Sequence, residues 1–244
     1  MTKTYLFLFT FLTLTAFSQN KMKTINELII EKDSGWKLVK EWIGAAKNKV
    51  EILPADPQKA KDALYKTQVT TSSPMGAIVY NTGGLLVDNG WIRILGSGSA
   101  KLNRTLPDWN KGKSFKEFGE TPSFLLIADD ALGGFYLLNG GGLGQDVGKV
   151  YYFSPDNLEY EALDISYSEF LEFCFNNDLD KFYAESRWKD WKKEVSVLEG
   201  DKVYNFYPFL WTAEGTDINK VSRKVIPVEE QYSLNIDLRK QLGH

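Results

Sequence analysis

The run over residues 125–156, LLIADDALGGFYLLNGGGLGQDVGKVYYFSPD, constrains the fold more than any other part of the chain. It holds three apolar or aromatic runs, LLIA, GGFYLLN and KVYYF, parted by an Asp-Asp-Ala-Leu turn and a Gly-rich connection. Branched and aromatic residues bounded by Gly, Asp and Pro clusters predict three consecutive β-strands. Upstream, residues 85–95 predict a hairpin, because Asp88-Asn89-Gly90 tolerates the positive φ of a tight reversal between LLV and WIRIL. In its second arm Ile92 and Ile94 share one face, and Trp91, Arg93 and Leu95 the other. Residues 158–163 alternate and predict a further strand.

Helix signals flank these strands. Thr24 and Glu27 have capping-box spacing and predict a helix to about Lys32, with Gly35 parting it from a second one that carries Trp36, Val39 and Ile43. Asp56-Pro57 and Ser73-Pro74 each join an N-cap to a first-turn proline. The second of these opens a helix over 75–80, which Gly83-Gly84 would cap. Ser166 and Glu169 form another capping box, opening a helix through Phe175, and short helices are expected over 178–184 and 187–195. Residues 97–121 are polar and Gly/Pro-rich, predicting a long surface loop around Trp109; residues 224–228 predict an edge strand. With no repeat and no change of composition, residues 19–244 are expected to form one α+β domain. Its central sheet would be mainly antiparallel, with N-terminal and C-terminal helices packed on it.

Residues 1–18 read as a signal peptide. Lys3 precedes an apolar run over 5–17, Ala16 and Ser18 supply the small residues of a cleavage site, and the run falls short of the ~20 residues of a membrane span. The mature chain would begin at Gln19 and be exported to the periplasm or secreted, with no membrane span of its own.

Residue chemistry narrows the function. A net charge of −3 argues against a nucleic-acid partner. The lone histidine is the last residue, and a chain with no internal imidazole lacks the usual base of serine and cysteine hydrolases and the ligands of His-based metal sites. Cys174 lies among Phe170, Phe173 and Phe175 and reads as a buried thiol. Gly96-Ser97-Gly98 and Gly112-Lys113-Ser114 lack the remaining glycines of nucleotide-binding loops. No cofactor and no metal are therefore expected. The candidate ligand- or partner-binding residues are Trp91, Arg93, Trp109, Asp129, Asp130, Asn139 and Asp146. Adjacent strand residues point to opposite faces, so Asp129 and Asp130 would share a site only if a bulge re-aimed one; with Asp146 they could then bind Ca²⁺ through their oxygen ligands, but turn-capping is the plainer role for all three.

Several motifs together resemble a bacterial family of unknown function, domain-of-unknown-function family 2625. They are Ser73-Pro74-Met75-Gly76-Ala77, Thr82-Gly83-Gly84-Leu85-Leu86-Val87-Asp88, Gly90-Trp91-Ile92-Arg93-Ile94-Leu95-Gly96-Ser97-Gly98, Ala128-Asp129-Asp130-Ala131-Leu132-Gly133-Gly134-Phe135, and Gly148-Lys149-Val150-Tyr151-Tyr152-Phe153-Ser154-Pro155-Asp156. Tyr167-Ser168-Glu169-Phe170-Leu171 and Tyr207-Pro208-Phe209-Leu210-Trp211 continue the likeness. The central part is also similar to the SMI1/KNR4-like (SUKH) superfamily, which implies a SUKH-like α+β domain that binds proteins, immunity proteins against toxins among them. Toxin-neutralising members act inside the cell, whereas the leader here predicts export. The leading expectation is a non-enzymatic module with a protein or peptide partner. The alternatives are a carbohydrate-binding or carbohydrate-hydrolysing protein using paired carboxylates, with a sugar ligand, and a structural envelope protein.

Overall fold

The computed structural model describes residues 22–32 and 34–243. The proposed leader lies outside these residues. Among them no helix is long and apolar enough to cross a membrane.

The centre is a seven-stranded antiparallel sheet whose spatial order follows the chain. Its strands are β1 (Val50–Leu53), β2 (Gly84–Val87), β3 (Ile92–Leu95), β4 (Phe124–Asp130), β5 (Phe135–Asn139), β6 (Lys149–Phe153) and β7 (Tyr160–Ser166). The three runs that opened the sequence reading are β4, β5 and β6. The expected hairpin is β2–β3, and Asp88, Asn89 and Gly90 take φ of 49°, 61° and 88°, the left-handed conformations that a tight turn needs. The further strand begins later than its alternation suggests, because Leu158 has φ 59° and turns the chain before β7. A second, two-stranded sheet pairs β8 (Lys202–Tyr207) with β9 (Ser222–Pro227).

The helices are α1 (Ile25–Leu28), α2 (Gly35–Gly44), α3 (Pro57–Thr67), α4 (Pro74–Asn81), α5 (Leu106–Asn110), α6 (Tyr167–Asn176), α7 (Leu179–Phe182), α8 (Trp191–Val195) and α9 (Val228–Leu242). The capping signals act as read: Asp56 accepts from the Gln58 and Lys59 N–H groups, Ser73 from Gly76, and Ser166 from Glu169. Three expectations need correction. The first helix stops at Leu28, and Gly35 is the first residue of α2 rather than a break between helices. The close of α4 is not a glycine cap: Thr82, in extended conformation, ends it and returns its hydroxyl to the Ile78 carbonyl. The polar stretch 97–121 contains α5, where Trp109 is buried between the cations of Arg104 and Lys113, 4.6 and 4.0 Å from its ring.

The two faces of the sheet are covered differently. On one, Tyr136 packs against Phe170 of α6 at 4.8 Å between ring centroids. On the other, Phe135 meets Tyr232 of α9 edge-on at 5.1 Å, and the Tyr204 N–H of β8 donates to the Ala131 carbonyl. Helices thus close one face, and the β8–β9 hairpin with α9 closes the other. That assembly buries a core from Leu28 to Tyr232.

Candidate functional site

Antiparallel register lines up one row of side chains on the α9-facing side: Glu51, Leu86, Arg93, Asp129, Phe135, Phe153 and Tyr160 are successive cross-strand partners. Cross-strand neighbours on one face stand close enough to interact directly. The row changes character along its length. It is aromatic over β5–β7, ionic at β3–β4 and open at β1–β2.

The ionic part is buried. Asp129 is fully buried and lies between two guanidinium groups, with Arg93 Nη2 at 2.5 Å and Arg104 Nη1 at 2.6 Å. Each arginine also holds backbone. Arg93 donates to the carbonyls of Lys202 and Asp130, and Arg104 donates to the carbonyl of Gly200 at 2.8 Å. The triad therefore ties the sheet to the segment leading into β8. Burial draws the Arg93 pKa down, and the neighbouring Asp129 charge opposes that shift. Among the described residues both Nε–H groups are buried without a hydrogen-bond acceptor.

Asp130 turns to the other face. Its carboxylate accepts from the Gly134 N–H at 2.9 Å, the Tyr152 hydroxyl at 2.8 Å and the Tyr183 hydroxyl at 3.0 Å, while Tyr183 also bonds Tyr136. Burial raises the Asp130 pKa, its hydrogen bonds working against the shift, and burial raises those of the three tyrosines as well. A folded-state pKa above the ordinary 3.8 means that the group's contribution is full below that value and declines as pH rises through the folded one. The stability of the native chain relative to Asp130→Asn is accordingly expected to be greatest in acid and to shrink with rising pH from about pH 4 upward, read by urea denaturation across a pH series. A difference that grows with pH would refute the assignment. The same cluster is closed by glycine. A Cβ on Gly134 would lie 2.1 Å from the Tyr152 hydroxyl oxygen, so Gly134→Ala is expected to destabilise by about 1–3 kcal/mol in the same assay.

The remaining sequence candidates lie elsewhere. Trp91 is buried under the Arg187 guanidinium, which pairs with Asp88 at 2.6 Å. Asn139 stands opposite Phe124, four residues along β5 from the partner of Asp129, or about 13 Å at strand rise. It organises the Gly-rich loop, accepting from the Gly141 and Leu143 N–H groups and donating to the Gly144 carbonyl and to Asp146. Asp146 also accepts from the Tyr151 hydroxyl, which holds its carboxyl below the ordinary range. Asp129, Asp130 and Asp146 thus occupy three separate settings, and among the described residues no group of three or more His, Cys, Asp or Glu could hold a metal ion.

The open end of the row floors a cleft of about 440 Å³. Glu51, Leu86 and Arg93 lie beneath it, Lys101 stands at one side, and the segment from Val195 to Asp201 forms a lip. Glu51 and Lys101 form an ion pair there, and Val197 on the lip is 82% exposed. Of the seven candidates only Arg93 lines this cleft. Glu51, Lys101, Glu199 and Asp201 carry no local motif, so nothing in their sequence neighbourhoods marks them. A second hollow of about 450 Å³ lies between Lys66, Phe115 and Pro122, away from the ionic row.

The chain is 42% identical over 214 residues to an uncharacterized protein of Haemophilus influenzae (strain ATCC 51907 / DSM 11121 / KW20 / Rd), covering 88% of this chain and 94% of the relative. It is 42% identical over 218 residues to the putative uncharacterized protein YbfG of Escherichia coli (strain K12), covering 89% and 98%. No solved structure matches. The family model described as a protein of unknown function, DUF2625, matches residues 25–231, and the chain belongs to that family.

Proposed function

We propose that the protein is a non-enzymatic binding module that holds a peptide or an extended protein segment in the cleft between β1–β3 and the lip at 195–201. The observation that carries this reading is the cleft itself. It is open to solvent, floored by a preformed sheet, and lined by the apolar Val195, Val197 and Leu198 of the lip and by charges of both signs, Lys49, Lys101, Glu199 and Asp201 among them. Such a surface suits a chain with alternating polar and apolar side chains better than a single compact ion. The buried triad supports it, since it fixes the end of the lip through the Gly200 carbonyl and the start of β8 through the Lys202 carbonyl, which leaves little ordering to be done there on binding. The sequence likeness to the SUKH superfamily points the same way. A sugar site built on Asp129 and Asp130 gains no support, because both are fully buried and their carboxylates face different partners.

The proposed protein acts outside the cytoplasm as a single domain starting at Gln19. Fractionation with N-terminal sequencing is expected to find Gln19 as the first residue in the periplasm or medium; a cytoplasmic chain that keeps Met1 would refute export. Binding is tested by selecting a phage-displayed random-peptide library on the mature chain. Enriched peptides are expected to lose at least about tenfold in affinity on the double variant Lys101→Glu/Glu199→Lys. Failure to enrich any peptide, or equal binding to that variant, would refute the cleft as the site.

A further inference from the structure

The outer edge of β1 continues the floor of this cleft, and its backbone geometry assigns a binding mode. Among the described residues β1 is the first strand of the sheet and pairs on one side only, with β2. The Lys49 carbonyl accepts from Asp88 and the Leu53 carbonyl from Gly83, so the odd-numbered residues aim their backbone groups at the β2 side. In an antiparallel strand the direction alternates, so the N–H and C=O of Val50 and Ile52 point outward. Among the described residues none of these four groups has a partner. The edge is also held in place. The Asn48 N–H donates to the Phe175 carbonyl, its side chain bonds the Cys174 and Asn177 carbonyls, and the Lys47 N–H bonds Asn176.

The opposite edge is protected as open edges usually are. β7 carries a left-handed residue, Asp164 at φ 58°, and a register shift interrupts its pairing with β6. β1 has regular register throughout and leaves Ile52 41% exposed.

We propose that an extended peptide binds as an added strand on β1, pairing its main chain with Val50 and Ile52. This rests on the peptide-binding reading of the cleft and specifies how the peptide lies. Alternate side chains of the added strand fall on the Glu51 side, into the cleft between Lys49, Lys101 and Glu199, and the others lie beside Ile52. Two donors and two acceptors supply sequence-independent pairing, and the charged cleft supplies selectivity.

The test uses the peptides enriched on the mature chain. Each is resynthesised with single backbone N-methyl groups along its length and measured against the native protein. Strand addition predicts a period of two: methylation at every second amide weakens binding at least about tenfold, and methylation at the amides between leaves it near the parent value. Ile52→Pro, which removes an outward N–H and no ladder bond, is expected to weaken the same peptides by a similar factor while keeping the native fluorescence spectrum. Peptides that show no period of two, yet still respond to Lys101→Glu/Glu199→Lys, would overturn strand addition and leave the cleft reading standing. A library that enriches nothing overturns both.

Discussion

Asp129→Ala is expected to destabilise the protein by about 3–5 kcal/mol, among the largest effects of any single substitution in the chain. Asp129 is fully buried and is the shared counter-charge of Arg93 and Arg104, themselves nearly buried. Removing it leaves two guanidinium groups facing each other without a carboxylate, and desolvation already opposes the charge on Arg93. The uncompensated charge, rather than the lost hydrogen bonds, dominates the effect. Asp129→Asn keeps the shape and loses the charge, so it is expected to be nearly as harmful. Arg104→Met should be milder, because Arg93 still neutralises Asp129. Urea denaturation followed by tryptophan fluorescence reads all three. An Asp129→Ala variant within about 1 kcal/mol of the native chain would show that the triad does not hold the sheet to the lip.

Trp91→Ala is expected to cost a comparable ~3–5 kcal/mol for a different reason. Trp91 is fully buried, with Tyr183, Trp188 and Trp191 at centroid distances of 5.2, 5.6 and 4.9 Å. Truncating it opens a cavity between rigid rings that cannot collapse. It also strips a ring from Arg187, whose guanidinium lies 3.9 Å from Trp191 and pairs with Asp88 and Asp180. The segment from α7 to α8 would lose its main contact with the β2–β3 turn, so its amides should exchange faster than those of β4–β6 in hydrogen-exchange measurements. Val197→Ala on the exposed lip is the control, expected within about 0.5 kcal/mol of the native chain. Equal effects of the two substitutions would contradict the packing described.

Much of the fold was readable because it is local. Each strand of the large sheet pairs with its neighbours in sequence, so runs of branched and aromatic residues between turns already implied a meander. The capping residues Asp56, Ser73 and Ser166 act within their own first turns, where sequence spacing and spatial spacing coincide. Four elements escaped notice: β1, α5, β8 and α9. The α9 helix buries Val228, Gln231, Tyr232 and Asn235 at helical spacing, but two of the four are amides, so no apolar stripe marks it. Those amides form a chain from Asn205 through Gln231 and Asn235 to the Gly133 carbonyl, a role that only the packed neighbours reveal. β1 has four residues and takes its strand form from β2, more than thirty positions downstream.

The candidate site divides the same way. Local alternation placed Asp129 and Asp130 on opposite faces and put Arg93 on the face that proved to carry the cleft. Trp109 went astray because it stands between Asp108 and Asn110 in a polar stretch, while Arg104 and Lys113, five and four residues away, cover its ring in space. The sequence by itself determined strands β2 to β6, the capped helix starts at Thr24, Asp56, Ser73 and Ser166, and the family, because each of these is written in residues that act on near neighbours or recur as contiguous motifs. Tertiary structure alone decided the cleft, the buried triad and the edge of β1 that is unpaired among the described residues. Glu51, Lys101 and Glu199 are far apart in the chain and meet only once the sheet and the lip have closed on the same charge pair. Burial then sets the charge preferences of Arg93 and Asp130, because desolvation depends on what surrounds a group and not on what precedes it.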